Sequence, residues 1–306
     1  MKRDLISIND LSRSDIERYL AQAAAIEAVP RREKMDILRG YILLEMFFEP
    51  STRTKLSFEA AMRRLGGDVM GFSDVSTTSV KKGESFLDTI HTVENYADIM
   101  VVRHAQEGTA RLAAESSRLP VLNAGDGTNQ HPTQTLLDMY TIQKFFGRLR
   151  DLKICLAGDL RYSRTVYSLL KTLMMFEGNE FLLCSPESLR VPSYLKYDED
   201  GRRQSFVETD DLAAAVKNCD VLYVTRIQRE RFADIVEYEK VKNVFELSAA
   251  MLEGARPHMK VLHPLPRVNE IKPDVDATPH AGYFEQVYNG MIMRQAVLMH
   301  HLGVTL

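Results

Sequence analysis

The sequence predicts an α/β protein of two domains, each a mainly parallel sheet flanked by helices. Three observations point there. The chain has 306 residues, more than a single hydrophobic core usually serves. Short apolar runs alternate with segments of helical spacing, which is the pattern of parallel strands joined by helical crossovers. That alternation occurs in two series, on either side of the charged, Gly-containing segment Gly147 to Asp151. The expected domains are therefore 1–148 and 149–283, and the last segment, 284–306, reads as a helix that could pack on either and is assigned to the first. One large barrel is the other architecture this length permits.

In the first series, Ile16, Tyr19, Leu20 and Ala23 follow the i, i+3, i+4, i+7 rule, so the chain opens with an amphipathic helix, for which Ser12 is a suitable N-cap. The run Tyr41 to Phe48 is short, apolar and closed by Pro50, which favours a buried strand; Phe58, Ala61, Met62 and Leu65 then resume helical spacing. The pattern recurs as a helix around Phe86, Ile90, Val93 and Ala97, a strand from Ile99 to Val102, a helix near residue 110, a strand at Val121 and Leu122, and a long helix from Thr133 to Phe146. The second series has a strand from Lys153 to Ala157, a helix with Val166, Leu169, Leu170 and Leu173 on one face, and strands at Phe181 to Cys184, Val221 to Thr225 and Val261 to Leu262. Tyr197 to Ser205 reads as an exposed loop. The last helix is expected to pack through the face carrying Phe284, Val287, Tyr288 and Met291.

Composition excludes several classes. With 45% apolar and 26% charged residues and no biased tract, the chain is neither disordered nor fibrous. A formal charge of -3 gives no overall field for nucleic acid or an anionic membrane, so neither partner is expected and any anion site must be local. The run at Tyr41 contains Glu45 and is far shorter than the roughly 20 residues a spanning helix needs. The first residues lack the apolar stretch of a secretory signal, and a cytoplasmic protein is expected. Cys155, Cys184 and Cys219 lie far apart, which excludes a CxxC zinc knuckle, argues against a disulfide framework and leaves core thiols.

The chemistry is concentrated where strands end. Glu49, Pro50, Ser51, Thr52, Arg53, Thr54 and Lys55 follow the first buried strand and lead into a helix. In open α/β sheets ligands bind at the carboxyl ends of strands, and a helix N-terminus presents free N–H groups and the positive end of its dipole. Two hydroxyls and an Arg make this a phosphate cradle; an N-cap beside a solvated Arg is the plain alternative. Neither GxxxxGK[ST] nor GxGxxG occurs, so the phosphate should belong to a small molecule rather than a nucleotide. His131, Pro132, Thr133 and Gln134 open the long helix, where the His and Gln side chains could face the crevice, and Arg103 follows its strand; taken singly, the favoured readings are the plain ones, a loop His beside a capping Thr and a surface charge. Arg164 and Arg226 follow two strands of the second series, with Gln228 two residues on, and two guanidinium forks from separate loops suit a dicarboxylate. Ser79 to Glu84 form a polar loop with the pair Lys81 and Lys82, and His263, Pro264, Leu265, Pro266 and Arg267 follow the last strand. Two prolines in that run fix the backbone and leave carbonyls free to accept.

Taken together, the SerThrArgThr, SerValLysLys, HisProThrGln and HisProLeuProArg motifs, in this order and spacing, resemble the aspartate and ornithine carbamoyltransferase family over essentially the whole chain. The resemblance implies that Ser51, Thr52, Arg53 and Thr54 bind the phosphate of carbamoyl phosphate, and that Thr54, Arg103 and His131 contact its carbonyl oxygen. Gln134 and the carbonyls of Leu265 and Pro266 would hold the carbamoyl amine, the bond between those two residues being cis in the family. Arg164, Arg226 and Gln228 match the family's aspartate ligands. A cationic side chain would be repelled by Arg164 and Arg226, and the ornithine enzymes carry a Cys where Pro264 stands here, so the aspartate branch is favoured. The loop at Ser79 is one residue shorter than in the best-known bacterial relatives. Counting back from Gly83 gives the substrate-binding role to Lys82; counting forward from Ser79 gives it to Lys81.

The implied reaction is attack of the neutral aspartate amine on the carbamoyl carbon, giving N-carbamoyl-L-aspartate and phosphate, the committed step of de novo pyrimidine biosynthesis, with no cofactor. Arg103, His131 and Thr54 would stabilise the oxyanion, and Arg53 and Lys82 the leaving phosphate. The stretch Arg226 to Lys242 is a candidate for closing over the site. In the family the loop bearing Ser79 and Lys82 enters the neighbouring subunit's site, so a homotrimer with shared sites is implied. Many bacterial and archaeal members also bind a separate zinc-containing regulatory chain, which nothing in this sequence shows. Transfer to another amino acceptor, and a silent anion-binding scaffold of the same fold, are the competing readings.

Overall fold

The structure, a computed structural model, describes residues 3–31, 33, 35–74, 76, 78–197, 206–227, 229, 232, 234–242 and 244–306. It divides into two units, Met1–Tyr140 with Tyr288–Leu306, and Thr141–Val287. The divisions fall inside two long helices, Pro132–Phe146 and Tyr283–Leu302, each of which runs from one unit into the other.

The first unit is built on a four-stranded parallel sheet in the order β2-β1-β3-β4, from β1 (Ile42–Phe47), β2 (Asp68–Phe72), β3 (Ile99–His104) and β4 (Val121–Asp126). Its helices are α1 (Arg13–Glu27), α2 (Thr52–Arg64), α3 (Phe86–Val93), α4 (Thr109–Ser116) and the start of α5 (Pro132–Phe146). Ser12 caps α1 in a capping box with Asp15, and α1 buries Ile16, Tyr19, Leu20, Ala23 and Ile26, as its spacing requires. Because side chains alternate along a strand, Leu44, Met46, Met100 and Val102 pack with Ile90, Ala110 and Ala113 on one face, while Leu43, Glu45 and Phe47 turn to the other. Both faces are covered, which is why β1 and β3 read as continuous apolar runs. The edge strand β2 has no sequence signature. It is largely exposed and contains Gly71, whose Cα lies so close to β1 that a Cβ would stand 2.0 Å from the Glu45 carbonyl oxygen.

The second unit carries a five-stranded parallel sheet in the order β7-β6-β5-β8-β9, from β5 (Lys153–Ala157), β6 (Glu180–Cys184), β7 (Phe206–Thr209), β8 (Val221–Val224) and β9 (Lys260–Leu262). Helices α6 (Arg164–Met174), α7 (Leu212–Asn218) and α8 (Ile235–Val241) belong to it, and α9 (Tyr283–Leu302) begins in it. On α6, Val166, Leu169, Leu170 and Leu173 are all buried. The three cysteines are buried, unpaired members of this core. Burial pushes the Cys219 thiol up to about 12, and the Cys155 thiol, hydrogen-bonded to the Cys184 thiol and buried, is raised well above the ordinary range, so neither is a thiolate.

Helix α9 corrects one expectation. Phe284 and Val287 are exposed, and the face turned inward carries Tyr283, Gln286, Asn289 and Met293. The cause is polar: Gln286 Oε1 accepts the His263 N–H at 2.9 Å, which brings an amide side chain inside and turns the apolar pair out. The loop expected at Tyr197 to Ser205 lies, from residue 198 on, outside the described residues. Among the described residues, no helix is long and apolar enough to cross a membrane.

Candidate active site

In the first unit, the strand ends of β1, β3 and β4 collect most of the residues singled out. Ser51 is the N-cap of α2, but its side chain makes no capping hydrogen bond to the N–H groups of the first turn. Thr52 and Arg53 are exposed in that turn, Ser51 is half-buried and Thr54 is buried. Phe47 of β1 pairs with Arg103 of β3, and the Phe48 N–H donates to the Arg103 carbonyl at 2.8 Å, which sets the Arg103 side chain beside the turn that follows β1.

Arg103 is held from two sides. Its Nη1 donates to the Ala124 carbonyl of β4 at 2.9 Å, and its Nη2 lies 3.3 Å from Glu49 Oε1. Its buried Nε–H and Glu49 Oε2 have no hydrogen-bond partner, an arrangement that is costly unless a ligand completes it. Burial draws the guanidinium below its ordinary range and Glu49 opposes the fall, so it stays a cation.

The third contribution comes from the start of α5. Asp126 at the end of β4 accepts from Asn123 Nδ2, Asn129 Nδ2 and the N–H groups of Gly108 and Gln130, which stiffens the turn leading to His131. His131 is buried, with Nδ1 3.4 Å from Thr133 Oγ1. Gln134 is also buried, and its Nε2 donates to Asp138 Oδ1 at 2.8 Å, which fixes the amide so that Oε1 is the acceptor left to it.

Three groups that sequence reasoning missed support this strand end. Arg294 of α9, only 4% exposed, donates to Ser57 Oγ of α2 at 2.9 Å, lies 3.5 Å from Thr133 Oγ1 and sits over the Phe58 ring at 5.0 Å. Burial lowers it to about 10, with Asp138 opposing. It ties α2 to α5 behind the site, and only tertiary packing reveals it. Glu45 of β1 is fully buried 3.2 Å from Lys55 Nζ, two residues after Arg53; burial raises its carboxyl to about 7. Glu49 directly precedes the SerThrArgThr motif, and that adjacency was a readable signal.

Ser79, Lys81 and Lys82 do not belong to the buried group. They lie on an exposed one-turn helix, Ser79–Lys82, closed by Gly83 at φ 96°. The turn leads into α3, whose first residue, Phe86, packs on Phe48 and on His104.

In the second unit the ends of β5, β8 and β9 are neighbours. Ala157 pairs with Val224 and Tyr223 with Leu262, so the loops after these strands share one edge of the sheet. Gly158, at φ 109°, lets the first two approach: a Cβ there would stand 2.2 Å from the Thr225 carbonyl oxygen. Arg164 opens α6 and Arg226 follows Thr225; both are half-buried at this edge. Gln228 lies outside the described residues. After β9, the Leu265–Pro266 bond is cis, with Leu265 at φ 51°. Among the described residues, no group of three or more His, Cys, Asp or Glu is arranged to hold a metal ion.

Two parallel-sheet units, each with cationic side chains gathered at the carboxyl ends of its strands, define an α/β protein built for small anionic ligands. The family model of the aspartate/ornithine carbamoyltransferase carbamoyl-P binding domain matches residues 3–144, and that of the Asp/Orn binding domain matches residues 150–301. The chain therefore belongs to the aspartate/ornithine carbamoyltransferase family. It is 54% identical over 303 residues to the aspartate carbamoyltransferase catalytic subunit of Thermococcus onnurineus, covering 99% of this chain and 97% of that one. The catalytic subunit of M. jannaschii aspartate transcarbamoylase superposes with a TM-score of 0.92 at 47% identity, covering 99% of this chain and 98% of that one. The Trypanosoma cruzi aspartate transcarbamoylase solved with N-(phosphonacetyl)-L-aspartic acid gives 0.90 at 38% identity, covering 97% and 95%.

Proposed function

We propose that this chain transfers the carbamoyl group of carbamoyl phosphate to the amine of L-aspartate, giving N-carbamoyl-L-aspartate and phosphate in de novo pyrimidine biosynthesis. The observation that carries this reading is the end of β1. A helix start without a side-chain cap lies next to a buried Arg103 whose Nε–H lacks a partner, in a chain of this family.

In the first unit, Ser51, Thr52, Arg53 and Thr54 bind the phosphate through hydroxyls, the N–H groups of the first turn and the Arg53 cation. Thr54, Arg103 and His131 bind the carbonyl oxygen. Gln134 accepts from the carbamoyl amine through Oε1, which is consistent with its Nε2 being engaged by Asp138. In the second unit, Leu265 and Pro266 accept through their carbonyls, and Arg164, Arg226 and Gln228 bind the two carboxylates of aspartate.

The neutral amine attacks the carbamoyl carbon, and the negative charge of the tetrahedral intermediate forms on the oxygen held by Thr54, Arg103 and His131. The bond from carbon to the phosphate oxygen then breaks, and the departing phosphate, stabilised by Arg53 and Lys82, takes the amine proton. A positioned oxyanion donor is worth about 3 to 4 kcal/mol, so fixing Arg103 between Ala124 and Glu49 is of the size that matters.

The reading includes a cytoplasmic homotrimer in which Ser79 and Lys82 reach the neighbouring subunit's site. A separate zinc-containing regulatory chain is the further partner that family resemblance implies, and co-expression with such a chain followed by size-exclusion chromatography tests for it. The test of the substrate pair is calorimetric titration with N-(phosphonacetyl)-L-aspartic acid. One ligand carrying both anionic ends avoids the cost of collecting two, and it should bind far more tightly than carbamoyl phosphate or aspartate. Weak binding, with tight binding of the ornithine counterpart, would overturn the assignment.

A further inference from the structure

Two buried groups close the loop after β9 and have no part in the reaction described above. His263 is 2% exposed and Glu270 4%. The Leu265 N–H donates to His263 Nδ1 at 2.7 Å, so Nδ1 carries no proton. The ring proton is therefore on Nε2, which donates to Glu270 Oε1 at 2.7 Å. Glu270 Oε2 accepts from the N–H groups of Val268 and Asn269, each at 3.1 Å. Burial works against ionisation of Glu270, but the His263 hydrogen bond and these backbone donors outweigh it and hold the carboxyl below its ordinary range. With both ring nitrogens engaged, His263 is not placed to exchange a proton with a substrate.

This network holds a strained residue. Leu265 has φ 51°, in the left-handed region that a branched side chain rarely enters. Such a conformation persists only where the surroundings over-determine it. Here the constraint is traceable: Glu270 orients the imidazole, the imidazole holds the Leu265 N–H, and the φ so imposed sets where the Leu265 carbonyl stands. Gln286 fixes the other end by accepting the His263 N–H at 2.9 Å.

We propose that His263 and Glu270 are positioning residues that aim the backbone carbonyls of Leu265 and Pro266 at the carbamoyl amine. The inference rests on the assignment of those carbonyls given under Proposed function. It predicts that carbamoyl phosphate binding depends on the acceptor at the Nδ1 position and not merely on a filled core.

The test separates the two ring nitrogens. In His263→Asn, the amide oxygen takes the place of Nδ1 and still accepts from Leu265, while contact with Glu270 is lost. In His263→Gln, the amide nitrogen takes the place of Nε2 and still donates to Glu270, but no acceptor faces Leu265. The KM for carbamoyl phosphate should stay within about threefold of the parent in His263→Asn and rise on the order of tenfold in His263→Gln, the size of one lost hydrogen bond. The KM for L-aspartate should change little in either. A purely structural role predicts instead that both variants lose folded protein and apparent kcat together, with both KM values unchanged, and that result overturns the proposal. Should a His263 variant not fold, Glu270→Gln replaces it. With its one amide oxygen turned to the N–H groups of Val268 and Asn269, its NH2 faces Nε2 and moves the ring proton to Nδ1, so Leu265 loses its acceptor and the same rise in KM is expected; an unchanged KM refutes the idea. If the parent chain forms no carbamoyl-aspartate at all, the functional reading falls and takes this inference with it. If the parent is active and His263→Gln keeps its KM, this inference alone falls.

Discussion

Arg103→Lys keeps the charge and removes the fork, so it asks whether geometry or charge matters at the end of β3. Arg103 is 9% exposed and meets Ala124 and Glu49 through two different nitrogens, with Nε left over. A lysine ammonium is a single point on a flexible stem and cannot satisfy a carbonyl, a carboxylate and a substrate oxygen from three fixed directions. Losing one preorganised donor to an oxyanion corresponds to about 10²- to 10³-fold in kcat, or about 3 to 4 kcal/mol. Leaving the Ala124 carbonyl without its partner costs a further 1 to 3 kcal/mol or so of stability, which a domain stable by about 5 to 15 kcal/mol survives. Initial rates of carbamoyl-aspartate formation at saturating substrates, with thermal melts on the same samples, separate the two effects. A folded Arg103→Lys variant whose kcat stays within about threefold of the parent would show that Arg103 is only a tie between β3, β4 and Glu49.

Three further predictions address other links. The folded-state pKa of Glu45 is raised to about 7 by burial, partly offset by Lys55, so the folded chain binds more protons than the unfolded one between about 4.5 and 7, and stability should fall as pH rises through that window. Relative to Glu45→Gln, which cannot ionise, the parent should lose on the order of 3 kcal/mol in chemical denaturation between pH 4.5 and pH 8; a parent that gains on the variant contradicts the burial argument. Gly158→Ala, whose Cβ would meet the Thr225 carbonyl, should raise the KM for aspartate several-fold and lower the melting temperature, and an unchanged KM would mean that the β5 and β8 loops need not approach so closely. Arg53→Ala and Lys82→Ala proteins should each be nearly inactive and regain activity when dissociated and reassembled together. Confirmed hybrids that stay inactive would place the lysine's action within its own chain, and repeating the mixture with Lys81→Ala settles which lysine complements.

Most of the framework could be read from residue patterns because it follows periodicity. Apolar runs marked β1, β3, β5, β6, β8 and β9, and helical spacing marked α1, α2 and α6. Elements without that signature were missed. Strand β2 is an exposed edge broken by Gly71, β7 is a four-residue strand with two exposed positions, and α7 and α8 are only seven residues each. The inward face of α9 was misread because Gln286 is buried by a tertiary hydrogen bond that no local pattern records. The same holds around the site. Strand-end motifs could be found from residue type and position, whereas Arg294 and Glu45 act through side chains of other elements, and Glu270 through an imidazole across its own loop, and their roles appear only when those partners are brought together.

The central claim is that the chain moves a carbamoyl group to aspartate, and the purified chain can be asked directly. It should be incubated with carbamoyl phosphate and either L-aspartate or L-ornithine, and the ureido product measured colorimetrically together with released phosphate. The account predicts equal amounts of N-carbamoyl-L-aspartate and phosphate with aspartate, and no product above the uncatalysed rate with ornithine. Product from ornithine, or phosphate release without carbamoyl-aspartate, would contradict it.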